Sequence, residues 1–314
     1  MIISISGLDK KKISFIKKKF RNATFKEIND INYNKQLDTT AILIFRESKL
    51  KNFINNFFKN KLFNKYYNLK WVHFSRSGLD EFYPNIKKAY FKITTGKGSS
   101  SLQVAEHCLA MVLYLTRNFK FINHKSYEKE FNRYKIINKK KVLILGYGSI
   151  GKEIAKKMRG FNVKIDTVGG KKNNYVEKVF TFNSIFKQIK NYYIVINCLP
   201  LTDKTQKIIN AKFFNKINPE GFFLNMSRSS CLNEDDLLKY IKRGKFGGIG
   251  IDHINEKLKK KILKISKNKN ILITNHTADR LNNLDNRFNL LLNNIKKFFY
   301  KKKLINIYSQ KKGY

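Results

Sequence analysis

Residues 142–151, Val-Leu-Ile-Leu-Gly-Tyr-Gly-Ser-Ile-Gly, decide the fold of this 314-residue chain. The first four are apolar, which predicts a short buried β-strand, and the spacing of apolar residues in 152–158 predicts an amphipathic helix. Between strand and helix lies the pattern G-x-G-x-x-G, formed by Gly146, Gly148 and Gly151. Because this pattern follows a strand and opens a helix, it predicts the turn that begins a dinucleotide-binding sheet.

Each glycine of the turn has a separate physical task. The first permits a tight turn, the second lets the backbone approach a pyrophosphate, and the third lets helix and strand pack closely. Free N–H groups and the dipole at the helix N-terminus attract phosphate. A glycine turn that packs without a ligand is the alternative. We expect these cofactor-binding residues: Gly146, Gly148, Ser149, Ile150 and Gly151.

A nucleoside-triphosphate loop is a rival interpretation of the same residues. Gly146 to Lys152 also reads G-x-x-x-x-G-K. That motif needs Ser or Thr at the next position, because its hydroxyl binds magnesium. The next residue here is Glu153, an anion that would face phosphate, so the sequence disfavours this interpretation.

The adenosine end of the cofactor is less well defined. An acidic residue about 20 positions beyond the turn ordinarily holds the ribose 2′-hydroxyl at the end of the second strand. Asp166 has this separation, but the apolar pattern continues to Val168, and Lys171 and Lys172 follow Gly169-Gly170. An acid suits NAD, whereas lysines suit the 2′-phosphate of NADP. Asp166 and Lys171 are both candidate ligands, and the expected cofactor is NAD or NADP.

Short apolar runs alternate with helical patterns along the chain, which predicts an α/β fold with parallel sheets. The clearest break in the first half is 96–101, Gly-Lys-Gly-Ser-Ser-Ser, and a long apolar helix over 104–115 follows it. A domain boundary therefore falls just before this helix. The predicted strands are 2–6, 41–45, 71–74, 89–93, 142–145, 163–168, 193–197, 221–225, 247–251 and 271–274.

Composition restricts the partners. Lys and Arg number 65 against 22 Asp and Glu, a formal net charge of +43. A basic surface attracts nucleic acid, but the charge is spread along the chain without a nucleic-acid-binding motif, so compositional drift is favoured. Three widely spaced cysteines disfavour disulfides and a metal site and suit a reducing cytoplasm. No apolar run reaches about 18 residues, so we expect no membrane span.

Seven segments between about residues 69 and 278 carry a family resemblance when they are taken in order: 71–80, 104–107, 198–205, 224–228, 233–237, 250–252 and 270–278. In this order they resemble the substrate-carboxylate loop, the start of the interdomain helix, the nicotinamide loop, the catalytic-arginine segment, the acidic run, the nicotinamide-side aspartate and the catalytic-histidine segment of the D-isomer-specific 2-hydroxyacid dehydrogenases. The resemblance implies a smaller flavodoxin-like α/β substrate domain, residues 1–98 completed by 285–314, and a Rossmann-type doubly wound parallel-sheet domain at 99–284. It also implies a homodimer packed around the long apolar helix.

The same resemblance implies the roles of the site residues. Arg228 would bind the substrate carboxylate or carbonyl through its rigid fork of donors. His276 would transfer the proton, because histidine titrates near neutral pH. Glu256, as a carboxylate beside the histidine, would favour the protonated form of His276. The backbone amides near Ser77 and Gly78 would bind the substrate. Further cofactor-binding residues implied in this way are Leu199, Pro200, Thr205 and Asp252.

Three features depart from the family pattern. Ser229 replaces the glycine after the arginine, and Asn275 replaces the proline before the histidine. The family stretch Asp-Val-Phe-x-x-Glu-Pro reads Asp-His-Ile-Asn-Glu-Lys at 252–257. Glu256 thus falls one residue early, which leaves its pairing with His276 open.

The expected activity is hydride transfer between NAD(P)H and a small 2-keto or D-2-hydroxy acid, with glyoxylate or hydroxypyruvate reduction favoured. Phosphoglycerate oxidation is the enzymatic alternative, disfavoured slightly because the chain ends soon after its core. A non-catalytic dinucleotide-sensing protein, like the family's transcriptional corepressors, is an alternative of another class. The charge of +43 would suit such a nucleic-acid-associated role.

Overall fold

The structure is a computed structural model that describes residues 1–46, 50–82, 85–121, 134–267, 269–279, 284–310 and 313. The chain divides into two compact units. Unit 1 comprises Met1–Ser100 and Asn283–Tyr314, and unit 2 comprises Ser101–Asn282. Both are built from parallel strands and flanking helices, which confirms the predicted α/β fold class.

The sheet of unit 1 is parallel throughout the described residues. Its strands are β1 (Ile2–Ser6), β2 (Thr24–Glu27), β3 (Ala41–Ile44), β4 (Trp71–Phe74) and β5 (Lys92–Thr95). Their order is β2-β1-β3-β4-β5, which is the flavodoxin-like order. The helices of this unit are α1 (Lys10–Lys19), α2 (Lys51–Phe58) and α9 (Leu284–Phe299).

Alternating side chains of β3 supply two cores in unit 1. Ile42 and Ile44 face an aromatic-rich cluster that includes Phe53 and Phe57 of α2. Leu43 points to the opposite side, into the cluster that contains residues of α1 and α9. Period-two alternation in a strand buried on both faces thus fixes which helices cover each side.

Unit 2 contains the strands β6 (Lys141–Leu145), β7 (Lys164–Val168), β8 (Lys178–Phe180), β9 (Ile194–Asn197), β10 (Phe222–Asn225), β11 (Gly248–Ile251) and β12 (Ile271–Ile273). Within the described range they form one sheet in the order β12-β11-β10-β9-β6-β7-β8. This is the doubly wound order of dinucleotide-binding sheets. The helices are α3 (Ser101–Thr116), α4 (Ser149–Met158), α5 (Phe182–Ile185), α6 (Ala211–Phe214), α7 (Glu234–Arg243) and α8 (Glu256–Ile265).

The decisive strand β6 is buried on both faces of this sheet. Val142 and Ile144 pack into the core that holds α3 and α4. Leu143 and Leu145 pack into the opposite core, which holds residues of α5 to α8. The continuous apolar run of the sequence is therefore that of a central parallel strand.

Most predicted strands lie within one residue of their observed bounds, but that at 89–93 is displaced to Lys92–Thr95. Ala89 and Phe91 are buried in the loop before β5, so their apolar character reflects core packing rather than strand alternation. Among the described residues, no helix is both long and apolar enough to cross a membrane.

A buried histidine lies in the middle of β4. The Nδ1 atom of His73 is 2.8 Å from Thr94 Oγ1, which also accepts a hydrogen bond of 2.8 Å from Trp71 Nε1. Burial lowers the pKa of His73 to about 3, because a charged imidazolium could not be hydrated there. The folded protein therefore holds this side chain neutral.

We expect acid to destabilise unit 1 through His73. Between its folded pKa of about 3 and the ordinary value of about 6.5, the unfolded chain binds a proton that the folded chain does not. The stabilising effect is complete above about pH 6.5 and falls by up to about 1.4 kcal/mol per pH unit as the pH drops towards the folded pKa. Denaturation followed by Trp71, the single tryptophan, should have a flatter pH dependence in His73→Asn. Equal slopes in the two proteins would contradict this account.

Candidate active site

The carboxyl ends of the unit 2 strands lie along one edge of the sheet, here called the carboxyl edge, because every pair is parallel. The strand order reverses between β6 and β9, and open α/β sheets bind ligands outside the carboxyl ends at such a point. The residues that directly follow the strands at this edge are Gly146 (β6), Gly169 (β7), Thr181 (β8), Cys198 (β9), Met226 (β10), Asp252 (β11) and Thr274 (β12).

The glycine turn joins β6 to α4 with little space for side chains. Gly146 has a φ of 91°, and a Cβ there would lie 2.8 Å from the carbonyl oxygen of Cys198. A Cβ on Gly151 would lie 2.4 Å from the carbonyl oxygen of Gly146. Both positions therefore require glycine, one for the turn and the approach of the β9 loop, the other for helix packing.

Gly148 serves a different purpose, since a Cβ there would have no protein atom within 4 Å. It is the N-cap of α4, so it borders the space in front of the helix N-terminus. The N–H groups of Ser149, Ile150 and Gly151 belong to the first turn, where no intrahelical acceptor exists. This open approach to free donors and a positive dipole fits a dinucleotide pyrophosphate.

The loop after β9 is tied together by its own hydroxyl groups. Thr205 Oγ1 donates to the carbonyl of Pro200 at 2.5 Å and accepts from the backbone N–H of Thr202 at 2.8 Å. Ser227, after β10, donates to the carbonyl of Leu199. Leu199, Pro200 and Thr205 are therefore in one closed loop beside the glycine turn, at the reversal of strand order.

Asp252, at the end of β11, organises the segment that carries His276. Its Oδ1 accepts hydrogen bonds from Thr274 Oγ1 (2.7 Å), Thr277 N (3.0 Å) and Ala278 N (3.3 Å), and its side chain is buried. The N–H of His276 donates to the carbonyl of Asp252 at 2.5 Å. One buried carboxylate thus holds the turn around the histidine.

His107 of α3 joins the same group. Its Nε2 lies 2.9 Å from Thr274 Oγ1 and 3.6 Å from Asp252 Oδ1. The sequence does not reveal this contact of His107, because an apolar helix gives no signal for a partner 167 positions away. Here it links α3 to the carboxyl edge and supports the same carboxylate.

His276 is exposed and packs beside a second histidine. Its ring centroid lies 4.5 Å from that of His253, at an angle of 54°, and His253 Nδ1 accepts from the N–H of Ser229 at 3.4 Å. Asn275 and His276 both have positive φ, 53° and 56°, so the segment makes a left-handed turn that presents the imidazole. No pattern in the sequence indicates the contact between His253 and His276.

The structure does not bring Glu256 to His276. Glu256 is the first residue of α8, and Asn255 caps this helix by accepting the N–H of Leu258 at 2.8 Å. The Glu256 carboxylate is 74% exposed and pairs with Lys259 at 3.7 Å. Starting a helix at this point directs the carboxylate to the helix surface, so the acid–histidine pair expected from the family is not formed.

Arg228 lies in the loop after β10 and is half-buried. Strand β10 is the neighbour of β11 in the sheet. Arg228 precedes Ser229–Cys231, a single turn of 3-10 helix. The nearby thiols do not offer a thiolate nucleophile, since burial raises the pKa of Cys198 to about 12 and also raises that of Cys231. Arg228 and the imidazole of His276 are therefore the candidate groups for chemistry at the carboxyl edge.

Ser77 and Gly78 lie in unit 1, in the loop that follows the carboxyl end of β4. Ser77 is exposed and its hydroxyl donates to the carbonyl of Gly96 at 3.2 Å. The backbone N–H of Gly96 donates to the carbonyl of Arg76 at 2.8 Å. These bonds fix the loop after β4 against the end of β5.

At the adenosine end, Asp166 lies in the middle of β7 rather than at its end. Its Oδ1 accepts the N–H of Lys178 at 2.9 Å, and its Oδ2 accepts the hydroxyl of Tyr192 at 2.7 Å. Lys171 and Lys172 are exposed in the loop after the strand. Sequence reasoning missed Tyr192, because no local pattern links it to a strand 26 positions away.

The comparisons with known proteins agree with this architecture. The model of the D-isomer specific 2-hydroxyacid dehydrogenase NAD binding domain matches residues 109–278, more than half of the chain. The chain therefore belongs to the D-isomer specific 2-hydroxyacid dehydrogenase family, whose enzymes are NAD(P)-dependent oxidoreductases acting on CH–OH groups. The expected family and cofactor class are confirmed.

Two curated relatives illustrate the range of the family. Glyoxylate/hydroxypyruvate reductase HPR3 of Arabidopsis thaliana is 23% identical over 228 residues, 70% of this chain and 69% of that protein. Erythronate-4-phosphate dehydrogenase of Wigglesworthia glossinidia brevipalpis is 28% identical over 241 residues, 72% of this chain and 57% of that protein. The chain thus spans little more than half of the second relative.

Solved structures share the fold over nearly the whole chain. The D-lactate dehydrogenase of Aquifex aeolicus, complexed with NAD and lactic acid, aligns with a TM-score of 0.72 at 20% identity, covering 96% of both chains. A probable 2-hydroxyacid dehydrogenase of Rhizobium etli, in complex with NADP, HEPES and L(+)-tartaric acid, aligns with a TM-score of 0.75 at 17% identity, covering 100% and 99%.

We expect Asp252→Ala to loosen the segment that carries His276. The change removes the acceptor of three hydrogen bonds and should lower the free energy of unfolding of unit 2 by about 3 kcal/mol. Asp252→Asn keeps one acceptor oxygen and should lose less. Hydrogen exchange of the Thr277 and Ala278 amides measures the effect. Unchanged protection in Asp252→Ala would contradict the role given to this carboxylate.

Proposed function

We propose that the chain reduces a small 2-keto acid with NAD(P)H, with glyoxylate or hydroxypyruvate as the substrate class. The observation that carries the proposal is the succession of Arg228, Asp252 and His276 after the adjacent parallel strands β10, β11 and β12. Such side chains follow the carboxyl ends that border the nicotinamide half of a dinucleotide site. The name of the Arabidopsis thaliana relative supports the substrate class.

Reduction of a keto acid requires that charge on the carbonyl oxygen be stabilised and a proton delivered. When bound, the reduced nicotinamide supplies the hydride to the carbonyl carbon. Arg228 holds the substrate by hydrogen bonds from its guanidinium and stabilises negative charge as it develops on the oxygen. His276 donates the proton to that oxygen, and in the reverse direction it accepts it.

Asp252 acts through the backbone of the histidine segment in this proposal. It fixes the turn at Thr274, Thr277 and Ala278 by hydrogen bonds. The backbone position from which the His276 side chain extends is therefore fixed. His253 packs against the ring of His276 and restricts its rotation. Both are positioning residues, and they take over the orienting role expected of Glu256.

We also assign substrate binding to unit 1, through the loop at Ser77 and Gly78, and cofactor binding to unit 2.

The proposed homodimer is formed around α3, where Leu102 is 46% exposed and Leu109, Leu113 and Tyr114 are only partly buried. Sedimentation equilibrium of the full chain distinguishes a dimer from a monomer, and a monomer at micromolar concentration would contradict the dimer.

A dinucleotide-sensing protein without turnover is the second candidate. One observation favours it, namely that Glu256 pairs with Lys259 and not with His276. In such a protein the glycine turn would bind the cofactor while the histidine would lack an acid partner. Measuring turnover and cofactor binding on the same preparation separates the two candidates.

We expect purified protein to oxidise NADH or NADPH in the presence of glyoxylate or hydroxypyruvate. His276→Gln should lower kcat by about a hundredfold or more, because it removes the proton donor. Arg228→Lys should lower kcat/KM by about a hundredfold, since a point charge cannot replace the fork of donors. Arg243→Lys, on the exposed surface of α7, is the matched control. Cofactor binding without turnover on any small 2-keto acid would reject the enzyme in favour of the sensor.

A second pair of variants tests the histidine's surroundings. Because the Glu256 carboxylate is exposed and paired with Lys259, Glu256→Gln should keep kcat within about twofold. His253→Ala removes the ring that packs on His276 and should lower kcat with little change in KM. A loss in Glu256→Gln as large as that in His276→Gln would mean that the acid does reach the histidine during the reaction.

A further inference from the structure

The carboxylate of Asp166 is buried in unit 2, and both of its oxygens accept hydrogen bonds from residues of this unit. The side chain is buried, Oδ1 accepts the backbone N–H of Lys178, and Oδ2 accepts the hydroxyl of Tyr192. Burial and the bond to Asp166 both raise the pKa of Tyr192, so the tyrosine stays a donor. Turning Asp166 towards a ribose would break both bonds and leave a buried hydroxyl without its acceptor, which is costly.

The end of β7 therefore offers no carboxylate to a ribose 2′-hydroxyl. The strand ends at Val168, and Gly169 and Gly170 follow it. The N–H of Gly169 donates to the carbonyl of Phe180 at 2.9 Å, which holds the strand end against β8. At the position where NAD-binding sheets carry an acid, this chain has two residues without side chains.

The next two residues are lysines, and Tyr147 holds their loop beside the glycine turn. A Cβ on Gly170 would lie 2.7 Å from Cβ of Tyr147, so the two residues are in close contact. The hydroxyl of Tyr147 donates to Asn173 Oδ1 at 3.0 Å. Lys171 and Lys172 lie between these two contacts. The second residue of the pyrophosphate turn thus anchors both sides of a dibasic segment.

We propose that unit 2 selects a dinucleotide with a 2′-phosphate, and that Lys171 and Lys172 bind that phosphate. The inference rests on the proposed function, since it requires that the turn bind a dinucleotide. A 2′-phosphate carries nearly two negative charges near neutral pH, and exposed lysine ammonium groups reach such a charge without fixed geometry. The absence of an acid at Gly169 and Gly170 removes the repulsion that would exclude it.

Binding of adenosine fragments to the full chain tests this inference without any turnover. The probes are adenosine 2′,5′-bisphosphate and adenosine 5′-monophosphate, compared by isothermal titration calorimetry at one salt concentration. We expect the bisphosphate to bind at least about tenfold more tightly, and added salt to reduce the difference. Equal affinity, or tighter binding of the monophosphate, would overturn the inference.

Three variants assign the effect to the loop. Lys171→Ala/Lys172→Ala should abolish the difference between the probes while leaving the affinity for the monophosphate within about twofold. Lys260→Ala/Lys261→Ala removes the same charge from the exposed surface of α8, at the opposite end of the sheet, and should keep the difference. Gly169→Asp places a carboxylate where no protein atom lies within 4 Å of the Cβ. The φ of 77° at this position strains any side chain, although Asp tolerates positive φ better than most residues, so the variant is first shown to melt cooperatively. It should then reverse the preference.

The outcomes also separate this inference from the proposed function. If both probes bind and the monophosphate is preferred, the choice of cofactor is wrong while the dinucleotide site stands. If neither probe binds to protein that melts cooperatively, the dinucleotide site itself is wrong and both proposals fail. A difference that survives Lys171→Ala/Lys172→Ala would overturn the assignment to these lysines.

Discussion

The parallel register of the unit 2 sheet is the constraint on which the site depends. Leu145 pairs with Asn197, Asn197 with Asn225, and Asn225 with Ile251, so four strands end at the same level. Asn197 Nδ2 donates to Asn225 Oδ1 at 2.8 Å, which adds a side-chain bond to this row. Because the strands end together, loops far apart in sequence begin beside one another. The glycine turn and the segments that carry Arg228 and His276 therefore lie along the same edge of the sheet.

A single buried carboxylate, that of Asp252, holds the backbone of the segment that carries His276. Asp252 receives two backbone amides and one hydroxyl, and His107 approaches it from α3. These donors offset the cost of burying the charge. The arrangement places the acid behind the turn rather than against the imidazole of His276, whose ring packs on His253 instead. Among the described residues, the contacts that orient His276 are therefore aromatic packing and backbone geometry, and no carboxylate pairs with its imidazole.

The sequence predicts what depends on local pattern and misses what depends on distant contacts. The strand at β6 and its turn are evident because a buried central strand is apolar throughout and the turn requires glycine at Gly146. The family resemblance offered Glu256 as a partner for His276 and left the pairing open. The start of α8 at Glu256, which lysines around the apolar pair Leu258 and Ile262 conceal in the sequence, turns this acid to the helix surface. The bond from Tyr192 to Asp166 joins residues whose proximity arises only when the sheet forms. No spacing rule reports such a contact.

We propose that the carboxyl edge of unit 2 positions a reduced nicotinamide for direct hydride transfer to a keto acid. The most direct measurement is to supply reduced cofactor deuterated at C4 of the nicotinamide, one prochiral position at a time, together with glyoxylate, and to examine the product by NMR. We expect one deuterium at C2 of the glycolate formed with one of the two labelled cofactors and none with the other. Glycolate without deuterium from either cofactor, or no glycolate from protein that binds the cofactor, would contradict it.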